Sequence, residues 1–354
     1  MPLLLVTGGA GFIGSHIVDA ALEQGWHVRV ADSFRADVHG DQLPASVARE
    51  GLEVVVADVT DPGAVAAMLD GVDVVCHQAA KVGLGVDFDD APDYVTSNET
   101  GTAVLLAAMA RHHVDRLVLA SSMVIYGEGA YRDSLGPVHA PPRTVADLES
   151  GRFEPVSART GEPLTPELID EDAPADPRNV YAATKLGQEN LATAWARATG
   201  GRAALLRYHN VYGPRMPFGT PYAGVASLFR TALERHEEPR VFEDGGQRRD
   251  FVHVRDVASA NLAAIDWTLS QPEGTARAFN VASGDVHTVG DIATALSAAV
   301  GGPAPVVTGE FRLGDVRHIT ASADRIRAEL GWRPTVRFED GIREFATDPL
   351  RGSR

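Results

Sequence analysis

Cysteine is all but missing from this chain. Cys76 stands alone in 354 residues, inside the apolar run VDVVCHQAA, so no intramolecular disulfide can form. That fits a reducing compartment, and a lone thiol in such a run reads as a buried, inert group. Basic residues are short too: 32 lysines and arginines against 48 acids give a formal net charge of -16. A duplex-binding face is not expected, because phosphate binding needs a positive footprint. An anionic ligand needs a locally basic pocket that reverses the global field. No stretch approaches the roughly 20 apolar residues of a membrane span. The opening MPLLLVTGG has no basic region and too short an apolar run for a secretory signal. A cytoplasmic protein is expected, with neither nucleic acid nor membrane as partner.

One further absence is local. In LVLASSMVIYG (117–127) an apolar run ends in Ser121 and Ser122, and Met123 and Val124 follow. Hydroxyls stand at this strand end with no acid or base beside them. No G-x-S-x-G elbow surrounds them, which disfavours nucleophilic acyl chemistry.

What is present is a repeated strand–helix pattern. Short apolar runs at 3–8, 27–32, 52–58, 72–77, 115–121 and 204–210 alternate with helical stretches such as 12–24. Continuous apolar strands between helices predict a parallel sheet covered on both faces, hence an α/β doubly wound Rossmann fold. The pattern supports a Rossmann domain over 1–210, interrupted by a Pro- and charge-rich insertion at about 129–178 with no sustained period. A smaller C-terminal α/β lobe is expected over 211–245 and 271–354, with 246–270 returning to the first domain.

TGGAGFIGSH (7–16) spaces Gly8, Gly11 and Gly14 as G-x-x-G-x-x-G, after the first strand and at the start of the first helix. The glycines allow a tight turn and close approach of a pyrophosphate, and the helix N-terminus offers unpaired N–H groups. Asp32 ends the second strand 18 residues after Gly14. An acid there accepts hydrogen bonds from both ribose hydroxyls and repels a 2′-phosphate, which favours NAD over NADP. Asp58, at the end of the third strand, either accepts from the adenine amine or caps the TDPGAV helix.

In NVYAATKLGQENLATAWARA (179–198), Tyr181 and Lys185 stand at i, i+4 on one helical face. Y-x-x-x-K alone is common. Following a dinucleotide turn and a serine-bearing strand end, it reads as a phenol beside an ammonium. Bringing a tyrosine from its usual pKa of about 10 to about 7 needs roughly 4 kcal/mol. One lysine plus a cationic nicotinamide ring can supply that in a dry cleft. Ser122 would hydrogen-bond the oxygen that Tyr181 deprotonates.

With TGGAGFIGSH, Asp32, HQAAK (77–81), Asn98, SSMVIYG, YAATK (181–185), RYHNVYGP (207–214), RRDFVHVRDV (248–257), RLGD (312–315) and LGW (330–332) in order, the chain resembles the extended short-chain dehydrogenases/reductases of the nucleotide-sugar epimerase/dehydratase group. The resemblance implies Tyr181 as base, Lys185 as its electrostatic partner and ribose ligand, and Ser122 as the orienting hydroxyl. It implies cofactor contacts at Gly8, Gly11, Phe12, Ile13, Gly14, Asp32, Ser33, Asp58, Val59, Gln78, Ala79, Ala80, Lys81, Asn98, Tyr181, Lys185 and Tyr208. It implies substrate contacts at Ser121, Ser122, Met123, Asn210, Val225, Arg249, Arg312 and Asp315, where arginine forks suit a sugar nucleotide's diphosphate. A homodimer through helices near 98–112 and 181–199 is implied as well. The group's 4,6-dehydratases carry an Asp-Glu pair where this chain has Met123-Val124. Elimination of water needs that acid and base, so reversible redox at one carbon is expected.

Tyr126 to Tyr181 spans 55 positions. With RYHNVYGPRMP and TPYAGVASLFRTALE, this insertion resembles the dTDP-L-rhamnose 4-epimerase branch. Many of that branch's members carry C-x-x-C pairs in the insert. Here Ser157 and Thr160 stand at the second pair, and the region of the first offers Asp133 and His139. Serine and threonine are poor zinc ligands, so no metal is expected. The expected activity is an NAD-dependent nucleotide-sugar 4-epimerase acting on a dTDP-6-deoxyhexose. A UDP-sugar epimerase or decarboxylase, a 4-ketoreductase and a catalytically silent NAD-binding sensor are the alternatives.

Overall fold

The computed structural model describes residues 2–39, 47, 49, 52–83, 88–219 and 224–351. Parts of both expected lobes, 40–46, 84–87 and 220–223 among them, therefore lie outside the described residues.

The main sheet has seven parallel strands. Their order is Glu53–Val56, His27–Asp32, Leu3–Thr7, Val74–His77, Arg116–Ser122, Arg202–Tyr208 and Ala276–Val281. Strand order reverses between Leu3–Thr7 and Val74–His77, where Thr7 pairs with His77. In open α/β sheets a crevice opens at that switch point, outside the carboxyl ends of the strands. Side chains alternate across the sheet. Leu4 and Val6 join a core with the Phe12–Glu23 and Val254–Ser270 helices through Ile17, Val18, Val257 and Ile265. Leu5 joins the opposite core, with Val65, Leu105, Met109, Ala192 and Trp195 from the Pro62–Met68, Gly101–Arg111 and Val180–Thr199 helices. This is the doubly wound Rossmann fold read from the strand runs.

A second sheet joins Asn210–Tyr212, Arg248–His253, Val286–Thr288 and His318–Ile319. Three helices, Val225–Glu234, Val289–Val300 and Phe338–Thr347, share a third apolar core with it. Two boundaries differ from expectation. The run 276–281 was expected in the smaller lobe, but it is the edge strand of the main sheet, with Ala276 paired to Ala203 and Val281 to Tyr208. Residues 248–253 pair in the second sheet, although Val252 and the helix after it pack into the first core.

The insertion is folded. Ala130–Asp133, Gly136–Val138 and Thr165–Glu167 form a three-stranded antiparallel sheet around Tyr131, Ala140 and Leu164. Backbone bonds from Gly129 N to His318 O (2.9 Å) and from Ile169 N to Thr320 O (2.8 Å) fix it to the second sheet. Asp133 and Ser157 do meet there, but around a cation. The Asp133 carboxylate accepts from Ser157 Oγ (2.6 Å) and from Arg159 Nε and Nη2 (both 2.7 Å). Among the described residues, no helix is long and apolar enough to cross a membrane.

Candidate active site

A cleft of about 490 Å³ opens at the switch point and runs from the glycine turn to the Val180–Thr199 helix. Gly8 has φ +65°, and a Cβ there would lie 2.7 Å from Ala79 N; a Cβ on Gly14 would overlap Gly8 O. Glycine alone fits both positions. Gly11 caps the Phe12–Glu23 helix in an extended conformation with no side chain bonded to the first turn. Those N–H groups therefore face the cleft as an anion cradle. Asp32 ends its strand with Oδ2 accepting from Ala10 N (3.2 Å) and Oδ1 from Phe34 N (3.0 Å), and His39 Nε2 lies 3.4 Å away. Ser33, Val59, Ala79 and Ala80 line the same half. Asp58 lines it too, with Oδ1 held by Thr60 N and Oγ1. Its cap is thus on the local turn, while Asp61 caps the following helix. The Tyr208 hydroxyl lies within hydrogen-bond reach of both Gln78 Oε1 (3.1 Å) and Asn261 Oδ1 (3.0 Å), sharing its one proton at the cleft floor.

At the far end Ser122, Tyr181 and Lys185 converge. Ser122 ends the Arg116–Ser122 strand and caps the short turn Met123–Tyr126. Tyr181 and Lys185 stand one turn apart, with Lys185 Nζ 5.9 Å from the phenol ring centroid. The ammonium donates to Ala120 O at 2.8 Å. Burial pushes the Tyr181 phenol up to about 12, with a hydrogen bond to Ser122 opposing. Burial brings Lys185 down to about 7, with Glu189 opposing. His77 is held neutral, its pKa lowered to about 3 by burial and by Lys185, between Thr7 Oγ1 and Thr102 Oγ1.

Most of the expected residues line this one cleft, including Phe12, Ile13, Lys81, Ser121, Asn210 and Val225. Two have their polar atoms turned elsewhere. Ser121 donates to the buried Glu189, itself paired with Arg207 at 2.8 Å. Lys81 Nζ reaches Asp93 (2.7 Å) and Asp90 (3.3 Å).

Five expected contacts lie off the cleft. Asn98 is fully buried in a π-helical turn, Val95–Thr100. It accepts from Lys81 N (2.7 Å) and donates to Lys81 O (3.0 Å) and Thr184 Oγ1 (2.9 Å). It thus ties the Lys81 segment to the Val180–Thr199 helix without lining the cleft. Met123 packs with Ile125 and Tyr126 instead. Arg249 Nη1 and Nη2 are engaged by the carbonyls of Arg248, Arg317 and Val316. Arg312 stacks over Phe242 at 5.3 Å, and Asp315 lies near both arginines, its pKa raised by burial against their pull. Sequence reasoning missed Arg35, His39 and Arg351, which line the dinucleotide half. Arg35 and His39 follow Asp32 closely enough to be found by proximity; Arg351 carries no local signal.

The cradle, Asp32 and the buried phenol–lysine end fit a dinucleotide: the cradle would hold its pyrophosphate, Asp32 its adenosine ribose, and the Tyr181–Lys185 end its nicotinamide. Among solved structures, the Thermus thermophilus UDP-glucose 4-epimerase in complex with NAD superposes with TM-score 0.77 at 29% identity, over 97% of each chain. A Stenotrophomonas maltophila UDP-glucose-4-epimerase with bound NAD and formylated UDP-arabinopyranose gives TM-score 0.79 at 28% identity, over 98% of this chain and 97% of that one. By sequence, the dTDP-L-rhamnose 4-epimerase of Burkholderia thailandensis is 37% identical over 97% of this chain and 94% of its own. The UDP-glucose 4-epimerase of Corynebacterium glutamicum is 30% identical over 94% of this chain and 90% of its own. The family profile matches residues 4–282, and the chain belongs to the NAD dependent epimerase/dehydratase family.

Proposed function

We propose that this protein is an NAD-dependent 4-epimerase of a nucleotide sugar, with a dTDP-6-deoxyhexose such as dTDP-L-rhamnose as substrate. The observation that carries the reading is the meeting of Ser122, Tyr181 and Lys185 at a strand end where Met123 and Val124 replace any acid–base pair. Bound NAD supplies the acceptor and donor of one hydride. Ser122 holds the substrate oxygen, Tyr181 takes its proton and returns it, and Lys185 stabilises the phenolate. The chain's own groups push the phenol up to about 12. Its activation therefore draws on the positive charge of the oxidised nicotinamide as well as on Lys185. Removal of water from the sugar would need a positioned acid and base at 123–124, and none is there. The similarity to the Burkholderia thailandensis enzyme, over almost all of both chains, supports the dTDP-sugar as substrate. Asn210 lines the cleft with its Oδ1 unpartnered, and Arg312, off the cleft wall, is exposed. Both suit the ribose and diphosphate of that ligand.

The deciding experiment is turnover in heavy water with catalytic NAD, followed by NMR. A 4-epimerase returns the hydride it removed, so product carbon stays unlabelled, NADH does not accumulate and C4 epimers equilibrate. A 4,6-dehydratase or a 3,5-epimerase would reprotonate carbon and label it. A ketoreductase would consume NADH in proportion to product. Carbon-bound deuterium or stoichiometric NADH loss would overturn the proposal.

The protein is further proposed to act as a homodimer through the Gly101–Arg111 and Val180–Thr199 helices. Their outer faces carry the exposed small residues Ala103, Ala107, Ala183 and Ala194, beside the exposed Phe88 and Val95.

A further inference from the structure

Among the described residues, each lysine or arginine that lines the cleft already has a partner, except one. Arg35 pairs with Asp93 at 3.1 Å, and Lys81 with Asp90 and Asp93. Lys185 is held by Ala120 O, at the catalytic end. Arg351 differs. It lines the same cleft as Gly8 and Gly11, yet among the described residues its guanidinium makes only a long hydrogen bond, Nη1 to Ala10 O of the glycine turn at 3.5 Å. It has no ion pair among the described residues. Burial holds its guanidinium below the ordinary value, and Asp32 is the opposing charge that acts on it. A partly buried guanidinium with so few partners is costly unless an anion completes it.

The backbone around Arg351 is fixed, so its position is not an accident of a loose end. Arg351 N donates to Met216 O and Phe218 N donates to Arg351 O, both at 3.0 Å; Arg215 N donates to Pro349 O at 3.3 Å. Leu350, beside it, is buried in the core of the smaller lobe. The last described residues thus form a strap that leaves the smaller lobe and sets one charge over the glycine turn of the other.

We propose that Arg351 is a ligand of the cofactor's pyrophosphate, contributed by the substrate lobe. The site rests on the NAD reading above and deepens it. In a protein of net charge -16, Arg351 supplies the local positive charge that the backbone cradle alone gives only in part. A planar fork can engage two phosphate oxygens at once. Because the strap is anchored on Met216 and Phe218, and Met216 and Pro217 also line the cleft, cofactor binding and the seating of the smaller lobe are linked through it.

The test is an NMR titration of the full chain, freed of bound nucleotide, with ADP-ribose, adenosine and dTDP. Arg351→Ala should weaken ADP-ribose by about ten- to a hundredfold and leave adenosine and dTDP within about twofold. Arg351→Lys should fall between, keeping the charge and losing the fork. The ADP-ribose to adenosine ratio is taken within each protein, so a partly unfolded variant does not mimic the effect. An unchanged ratio in Arg351→Ala would overturn the proposal. So would a loss confined to dTDP, which would place Arg351 on the substrate's diphosphate. If the parent protein failed to bind ADP-ribose at all, the cofactor reading itself would fall.

Discussion

Tyr181 and Lys185 have opposite problems with burial. The phenol is pushed up to about 12 and the amine down to about 7. Each shift disfavours the charged form that the proposed mechanism uses, so under that proposal the pair would depend on mutual stabilisation and on the charge of the bound cofactor. Tyr181→Phe should lower turnover by about 10²–10⁴-fold with NAD affinity nearly unchanged, since the ring stays and only the proton carrier goes; equal turnover would remove Tyr181 from the mechanism. The lysine has a consequence for folding. Its pKa falls from 10.5 unfolded to about 7 folded. Between those values the unfolded chain binds the extra proton, so this group makes stability rise with pH across that window. From about pH 6 to about pH 9 the parent should gain about 3 kcal/mol relative to Lys185→Met, read from denaturant melts without cofactor. A difference that stays flat would mean Lys185 titrates near its ordinary value. Both residues were legible in the sequence because an i, i+4 spacing fixes a shared face whatever surrounds it. Asn98 and Arg249 were not so simply legible. Their type suits ligand contact, but the groups that engage them, Lys81 and Thr184 for one and the carbonyls of 316–317 for the other, come from distant segments.

Among the elements, the strand–turn–helix of residues 3–23 is the one proposed to cradle the cofactor's pyrophosphate, and its glycines act through shape. A Cβ on Gly14 would collide with Gly8 O and crowd Gly9 Cα. Neither is a side chain that can rotate away, so the helix must move off the strand. Gly14→Ala should destabilise the fold by about 1–3 kcal/mol and weaken NAD together, because overpacking displaces the N–H groups that form the cradle. Melting curves and NAD titration check this, and normal values in both would refute the packing argument. This motif was readable because its signal is local and ordered. The strand 276–281 was visible as an apolar run, but its sheet was not. A short run carries no mark of which edge it will join, and the pairing of Ala276 with Ala203 is made across more than the whole Val254–Ser270 helix. The insertion was unreadable for another reason. Its strands are three or four residues long, too short for any period to show, and Asp133, Ser157 and Arg159 hold it by side-chain bonds that composition cannot reveal.

For the whole molecule, the Val180–Thr199 helix has two duties on two faces. One face carries Tyr181 and Lys185 to the cleft and, a turn further on, the buried Glu189 to Ser121 and Arg207. The other leaves Ala183 and Ala194 exposed, with Gly187 against Glu99 between them. The neighbouring Gly101–Arg111 helix adds Ala103 and Ala107, and Val95 and Phe88 extend the surface at 42% and 80% exposure. Small residues along two packed helices let another pair of helices approach closely, at the roughly 8–10 Å between axes that tight packing needs. A second copy of the same face meets that requirement by symmetry. It would cover apolar surface that a monomer has no reason to leave open. Such an interface would also brace the catalytic helix from behind, away from the cleft. The parent protein should therefore sediment as a dimer. Ala107→Arg, which puts a long charged side chain at the centre of the seam, should give monomers. Ala107 lies on no wall of the cleft, so NAD should still bind to the separated chains. A parent that sediments as a monomer at about 10 µM, well above the dissociation constants of standard-sized interfaces, would rule out this face as the dimer seam, and so would an Ala107→Arg variant that remains a dimer.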